Sequence, residues 1–440
     1  MIQQDIVDWM SKSDFITPPT TRTDTKKLQE DGDDAYYELP SPPETSNARR
    51  SKRRRLVMSA EDQRTPKRRR QPDEEEADVD ETPRASSSRH GKRSHPRLSP
   101  SRSESQTSSQ SNASSRSSPS KQIAALEINL DGIQTRAMSL TDDSMPISLR
   151  RLLTDMDKCS NGLRILSEEL RAEIEKHNEQ QEFGEFSTVE DWAYGDAQTR
   201  NQLGPTPSTR CVARLVSEAK KCQNTVQNEA GWNMMVHYPV LYEAVCSEEL
   251  RQLVGVTPCT TAKIIKEYLP LQSQPKMVDF SLCLQPEHDV FPEAPVDAIR
   301  QLRQALPYNV INHTDFLPLR SHPITVSIET KRRGTGSEGA ELQLGTWHAA
   351  QWNFLQDRIA ATGGSFEGLD LLPAIVIEGH RWSFAATTRK GRKTVLWLEK
   401  PFGSTEGSLG VYKIVWGLQR LARWSECVFW PWYKKNVLAV

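Results

Sequence analysis

Glu329 and Lys331 stand two residues apart at the end of the stretch 324–331, ITVSIETK, where apolar residues at 324, 326 and 328 alternate with polar ones. Alternation of period two predicts a strand. On a strand, residues i and i+2 share a face, so the carboxylate and the ammonium lie side by side opposite the apolar face. Such a pair can hold a divalent cation and position a water for attack on a phosphodiester, provided a second carboxylate arrives from elsewhere. The stretch 276–284, KMVDFSLCL, offers one: Val278, Phe280, Leu282 and Leu284 share one face and Asp279 lies on the other. If the two strands are neighbours with their polar faces aligned, Asp279 and Glu329 converge on one ion with Lys331 beside them. Hard carboxylate oxygens suit Mg2+ or Mn2+ better than zinc.

Two further residues extend the set. Glu229, in 228–237 (NEAGWNMMVH), shares a predicted helical face with Trp232, Asn233 and Val236, and a helix packed across the sheet can present it at the same edge. Gln343 and Trp347 stand at i and i+4 in the helix predicted directly after the Glu-x-Lys strand, so Trp347 can anchor that helix while Gln343 faces the site. Each residue also has a plainer reading. Glu329 and Lys331 can be a surface ion pair contributing about 0–1 kcal/mol, and Glu229 a solvent-facing helical acid. Trp232, Trp347, Trp382 and Trp416 are read simply as core. The matching Asp279, and the Gln343/Trp347 pair that follows, favour chemistry for the Glu-x-Lys strand.

The order Glu, Asp, Glu-x-Lys, Gln resembles the PD-(D/E)XK nuclease superfamily, with its restriction-endonuclease-like fold, and within it the nuclease-like domains of uncharacterised fungal proteins. The likeness is carried by the segments 228–237 (NEAGWNMMVH), 278–280 (VDF), 328–331 (IETK), 343–347 (QLGTW) and 372–382 (LPAIVIEGHRW), within about 205–430, roughly half the chain. The resemblance implies phosphodiester hydrolysis of nucleic acid, DNA ahead of RNA, with Mg2+ or Mn2+ held by Asp279 and Glu329 and by Glu229 directly or through water. It implies that Lys331 orients or deprotonates the attacking water and stabilises charge on the phosphorane, and that Gln343 positions substrate or water. Two departures stand out. Val278 replaces the proline usual before the first acid, and Asp279 and Glu329 are fifty residues apart (329 minus 279), so 285–320 is read as an insertion. That insertion carries His288, His313 and His322, which as lone loop histidines stay outside the site. A catalytically inactive nuclease-fold module that binds nucleic acid or chromatin proteins is the alternative.

The elements that must position these residues follow in order. A helical stretch is predicted near 208–246, strands at 276–284 and 324–331, a helix at about 340–360, and a buried strand at 371–378. Its hairpin partner runs from 381 across Gly379-His380, a strand follows at 395–398, and a long helix spans about 407–424. This is an α/β class domain, a mixed sheet flanked by helices. Arg332 and Arg333, next to the proposed site, are candidate substrate contacts, because phosphate backbones need nearby positive charge. The glycine-rich run 334–339 lacks the adjacent lysine–serine pair of a phosphate-binding P-loop.

The formal net charge of −1 conceals segregation: residues 49–70 carry eleven Lys or Arg, and 73–81 carry seven acids. Ten of the eleven tryptophans follow residue 190, so the core material lies in the C-terminal half. Residues 1–145, rich in Ser, Pro and Arg, are therefore read as a disordered tail, 146–204 as a helical connector and 205–435 as the folded domain. In the connector, Leu163, Leu166, Leu170 and Ile174 form a narrow stripe after a break at 160–162, better suited to a docked helix than to self-association. The basic clusters Lys52, Arg53, Arg54, Arg55 and Lys67, Arg68, Arg69, Arg70 are read as signals for a nuclear import receptor, hence a nuclear protein. Seven scattered cysteines with no C-x-x-C pair indicate reduced thiols, and no run of about 18 apolar residues indicates a membrane span. Oligomeric state is left open.

Overall fold

The computed structural model describes residues 118–181, 183–246, 252–271, 273–334 and 338–440. These residues build a mixed seven-stranded sheet from β1 (Ile133–Arg136), β4 (Val254–Pro258), β5 (Phe280–Leu284), β6 (Ile324–Lys331), β7 (Leu371–Glu378), β8 (Arg381–Lys390) and β9 (Lys393–Ser404). A separate short parallel pair joins β2 (Leu166–Ser167) to β3 (Tyr194–Gly195). Across the large sheet the order is β1-β9-β8-β7-β6-β5-β4. The β1/β9 and β6/β7 pairs are parallel and the others antiparallel. The α/β mixed-sheet architecture expected from the sequence is the one observed.

β6 sits inside this sheet, between antiparallel β5 and parallel β7. Its alternation therefore does not separate a core face from a wet one. Thr325, Ser327 and Glu329 are as buried as Ile324, Val326 and Ile328. Helices cover both faces, and β8 shows how. On one face His348 and Trp352, from the helix Glu338–Thr362, reach the Thr387 hydroxyl at 2.9 and 3.0 Å. On the other, His237 packs edge-on against Trp382 with ring centroids 5.8 Å apart. Thr387 and Trp382 are five residues apart on one strand, which puts them on opposite faces. The helix Ser408–Trp424 packs against the helix Tyr238–Val245 that directly follows His237. Trp347, Trp352, Trp382 and Trp397 are fully buried between these layers, and Trp416 packs at their margin, the structural role read for the tryptophans.

Several boundaries differ from the sequence reading. Residues assigned to the tail contribute a helix, Pro119–Ile128, and the edge strand β1, which pairs in parallel with β9. Leu126 and Ile133 pack there on Leu342, Ala349 and Leu396, a contact too brief to register as periodicity. The connector 146–204 is no separate spacer: Leu149, Leu152, Leu153 and Met156 of the helix Ile147–Ser160 belong to the same core as the sheet. The break falls at Gly162 (φ +76°), but beyond it Leu163 is exposed, Leu166 lies in β2 and Ile174 in the helix Arg171–Gln180, so there is no single stripe. The stretch 208–246 splits into the helix Thr209–Asn224 and a second segment starting at Glu229, capped by the Ser208 and Asn228 side chains. The insertion 285–320 contains the helix Glu293–Ala305, and 276–284 shortens to β5, leaving Asp279 just ahead of it. No helix among the described residues is long and apolar enough to cross a membrane.

Docking of the 119–136 segment is directly testable. Ile133→Ala removes a side chain that is 2% exposed and should cost about 2–4 kcal/mol, read as a lowered urea midpoint. Unchanged stability would place β1 outside the folded unit.

Candidate active site

The β5/β6 register that pairs Phe280 with Ile328 brings Asp279 to the end of β6. The Asp279 N–H donates to the Ile328 carbonyl at 3.1 Å. Its carboxylate oxygen Oδ2 accepts from both the backbone N–H and the hydroxyl of Thr330, each at 2.8 Å. The acid thus takes over the hydrogen bonding that a further residue of β5 would have supplied. Thr330 was not among the sequence candidates: it lies between the two motif residues, where alternation marks it as core.

Glu329 is 1% exposed. It stands in register with Val376, and Val376 with Ser383, which alternates with Thr387 on β8. Glu329 therefore faces the layer formed by Glu338–Thr362. Its Oε1 accepts from Lys331 Nζ at 2.5 Å, while Oε2 is buried with no hydrogen-bond partner among the described residues. Burial pushes its carboxyl well above the ordinary range, and the negative charges of Asp279 and Glu229 reinforce the shift against the pull of Lys331. Asp279 is raised too, by burial that outweighs its Thr330 hydrogen bonds and the Lys331 charge. At Lys331 burial acts downward, yet Glu329, Glu229 and Asp279 together raise it, so the ammonium keeps its proton. The plain reading of Glu329–Lys331 as a surface pair does not survive this burial.

Glu229 opens a short helix, Glu229–Trp232, and its charge acts on both Glu329 and Lys331. Gln343 donates from Nε2 to the Met277 carbonyl at 3.3 Å, tying the Glu338–Thr362 helix to the approach of β5. A Cβ placed on Gly339 would come within 3.7 Å of Lys331 Cε, so that helix starts against the lysine. Arg332 and Arg333 follow β6 and are exposed. Gly334 N–H donates to Glu378 Oε1 at 2.8 Å, and 335–337 lie outside the described residues. His288, His313 and His322 do not join the site. His313 is fully buried against Trp347, ring centroids 4.3 Å apart, rather than in a loose loop. The clusters Lys52–Arg55 and Lys67–Arg70 lie outside the described residues.

Among the described residues no three His, Cys, Asp or Glu side chains converge into a ready-made cation cage. The donor set nevertheless fits a hard divalent cation. The charges of Asp279 and Glu229 both act on Glu329, all three acids act on Lys331, and Glu329 Oε2 has no hydrogen-bond partner among the described residues. Mg2+ is commonly held through only one or two carboxylates and keeps its remaining waters.

The model of the PD-(D/E)XK nuclease superfamily matches residues 173–430. The chain belongs to this superfamily. No curated protein and no solved structure matches it. The superfamily match starts upstream of the predicted boundary at 205, in line with the burial of Ile174 in the common core. The Pro119–Ile128 helix, β1, the helix Ile147–Ser160 and β2 precede the matched residues.

The raised Glu329 carboxyl predicts a pH signature. Between the ordinary value of 4.5 and its raised folded value, the folded state holds a proton that the unfolded state has released, so stability falls as pH rises through that window. Glu329→Gln removes this slope. In chelator-containing buffer, urea unfolding should show the wild type losing stability relative to Glu329→Gln as pH rises above 4.5. Parallel curves would mean that Glu329 is not held protonated.

Proposed function

We propose that this domain hydrolyses phosphodiester bonds of nucleic acid, DNA ahead of RNA, with Mg2+ or Mn2+ bound by Asp279 and Glu329 and, directly or through water, by Glu229. The observation that carries the reading is the buried Glu329, with its unpartnered Oε2 beside Lys331 and in the field of two further acids. A bound cation would supply Lewis-acid stabilisation of the charge that grows on the phosphate and lower the pKa of the attacking water. Asp279 Oδ2 is committed to Thr330, which leaves Oδ1 as its ligand atom.

Lys331 is held as an ammonium by the surrounding acids. Its role is accordingly to donate to a phosphate oxygen or the incoming water and to stabilise the phosphorane, rather than to remove a proton. Gln343 orients water or substrate from the start of the covering helix. Arg332 and Arg333, exposed at the end of β6, pair with backbone phosphates on either side of the scissile bond. The basic clusters at 52–55 and 67–70 fit recognition by a nuclear import receptor, and a nuclear protein acting on DNA.

One observation favours a second reading, a binding module without turnover: Asp279 is tied to Thr330 and no three-acid cage is formed among the described residues. A cleavage assay separates the two. The purified full chain should cut DNA or RNA when Mg2+ or Mn2+ is added. Lys331→Ala, Glu329→Gln and Asp279→Asn should each lower the rate by about 10²–10³-fold. Arg332→Ala should weaken substrate binding and make it less sensitive to salt. Cleavage at full rate by Lys331→Ala would sink the proposal, whereas saturable nucleic-acid binding without any cutting would support the module.

A further inference from the structure

The geometry points to His237 as the positioning residue that sets Glu229 against the Glu329–Lys331 pair, by tying the helix that carries Glu229 to the end of the strand that carries the pair. The inference rests on the phosphodiesterase reading above. The tie is a relay of two hydrogen bonds through Gly379, in the turn between β7 and β8. Gly379 N–H donates to the Lys331 carbonyl at 3.2 Å, and the Gly379 carbonyl accepts from His237 Nε2 at 2.9 Å. Gly379 has a φ of +57°, the left-handed region where a side chain is strained, and a Cβ there would lie 3.5 Å from the Cβ of Arg333. The turn therefore sits directly on the end of the catalytic strand.

The ring that makes this tie is fixed on every side. His237 is 1% exposed and neutral, because burial pulls it down to about 4. A neutral imidazole has one N–H, and a carbonyl at Nε2 requires it there. Nδ1 is then an acceptor; the Asn233 side-chain atom 2.8 Å away is placed as Oδ1, and a neutral ring with its proton on Nε2 assigns the amide nitrogen to that position instead. Trp232 stacks on the ring with centroids 5.6 Å apart and meets His380 edge-on at 4.8 Å. His380 is in turn bonded to Thr405 and Gln223, both at 2.9 Å.

The helix between Glu229 and His237 is not regular: Glu229–Trp232 runs into a five-residue π turn, Asn233–His237, before Tyr238–Val245 resumes α geometry. In an ideal α-helix residues i and i+8 point about 80° apart, whereas i and i+7 differ by about 20°. One residue inserted through a π turn makes an i, i+8 pair behave as an i, i+7 pair. The irregularity thus aligns Glu229 with His237, so that anchoring the ring to Gly379 also aims the carboxylate. Its extra residue is accommodated on the outside, where Met234 is 79% exposed.

The test is a double-mutant cycle on the full chain, read by calorimetric Mn2+ affinity and by kcat and KM for cleavage. His237→Met fills similar space without a donor; His237→Gln keeps a donor near Nε2. His237→Met should weaken Mn2+ binding and lower kcat by about tenfold with KM for nucleic acid unchanged, and His237→Gln should recover most of both. In a Glu229→Gln background, His237→Met should have no further effect, because its action runs through Glu229. Additive losses, or an unchanged Mn2+ affinity in His237→Met, overturn the inference while leaving the phosphodiesterase reading intact. Where His237→Met fails to fold, Asn233→Ala frees the ring at Nδ1 and the same cycle is run with it. A wild type that neither binds Mn2+ nor cleaves overturns the phosphodiesterase reading, and this inference with it.

Discussion

Glu329 and Lys331, 2.5 Å apart, are held at the end of β6 inside a sheet that helices cover on both faces, and the rest of this fold is arranged around them. Removing two charges from water costs several kcal/mol each, and a buried ion pair seldom returns that in stability. The cost is aggravated here, because Glu329 lies in the field of Asp279 and Glu229 and one of its oxygens has no partner. A hydrophobic pair at these two positions would pack more favourably. Under the proposed reading, a divalent cation would supply the partner that Glu329 Oε2 lacks among the described residues and would offset the clustered acids, with the protonated Lys331 kept beside it.

Three separate elements meet at this point, held by strand pairing and by short side-chain hydrogen bonds to backbone groups. β6 supplies Glu329 and Lys331 on consecutive same-face positions. The approach to β5 supplies Asp279, whose side chain substitutes for ladder bonds at Thr330. The segment from Glu229 is fastened through His237 and Gly379 to the Lys331 carbonyl. Local irregularities sit where the site needs them: a strand cut short by a carboxylate, a π turn in the helix, and a left-handed glycine in the hairpin. π turns inside helices are often found at functional sites because they re-aim side chains at little cost to the flanking turns.

Outside the site, the 119–136 segment shows how the domain manages its edge. β9 would otherwise expose a row of unpaired backbone groups. β1 pairs with it in parallel, and Leu126 and Ile133 pack with Leu342, Ala349 and Leu396 in one apolar cluster. Gly345 permits the close approach, since a Cβ there would meet Ile133 at 3.1 Å.

The order Glu229, Asp279, Glu329-x-Lys331, Gln343 and the α/β class were legible from the chain alone, because strand alternation and helical spacing are local properties. β6 and β7 matched the strands read at 324–331 and 371–378 for that reason. Several other features were not legible. Alternation in 324–331 indicated one polar face, but β6 pairs on both sides and is covered on both, so the polar face is buried; strand order is a long-range property that no local pattern carries. Asp279 lay outside the strand assigned to it, where its side chain, in place of a backbone carbonyl, accepts the Thr330 N–H. β1, β4 and the core role of 146–204 escaped because short segments acquire an apolar environment only from partners far away in sequence. The chain by itself determined which charged groups are available and in what order. Only tertiary structure decided that Glu329 is buried, that the charges of Asp279, Glu229 and Lys331 act on it, and that the end of β6 is bonded to Gly379, since desolvation and charge coupling arise when distant segments exclude water together.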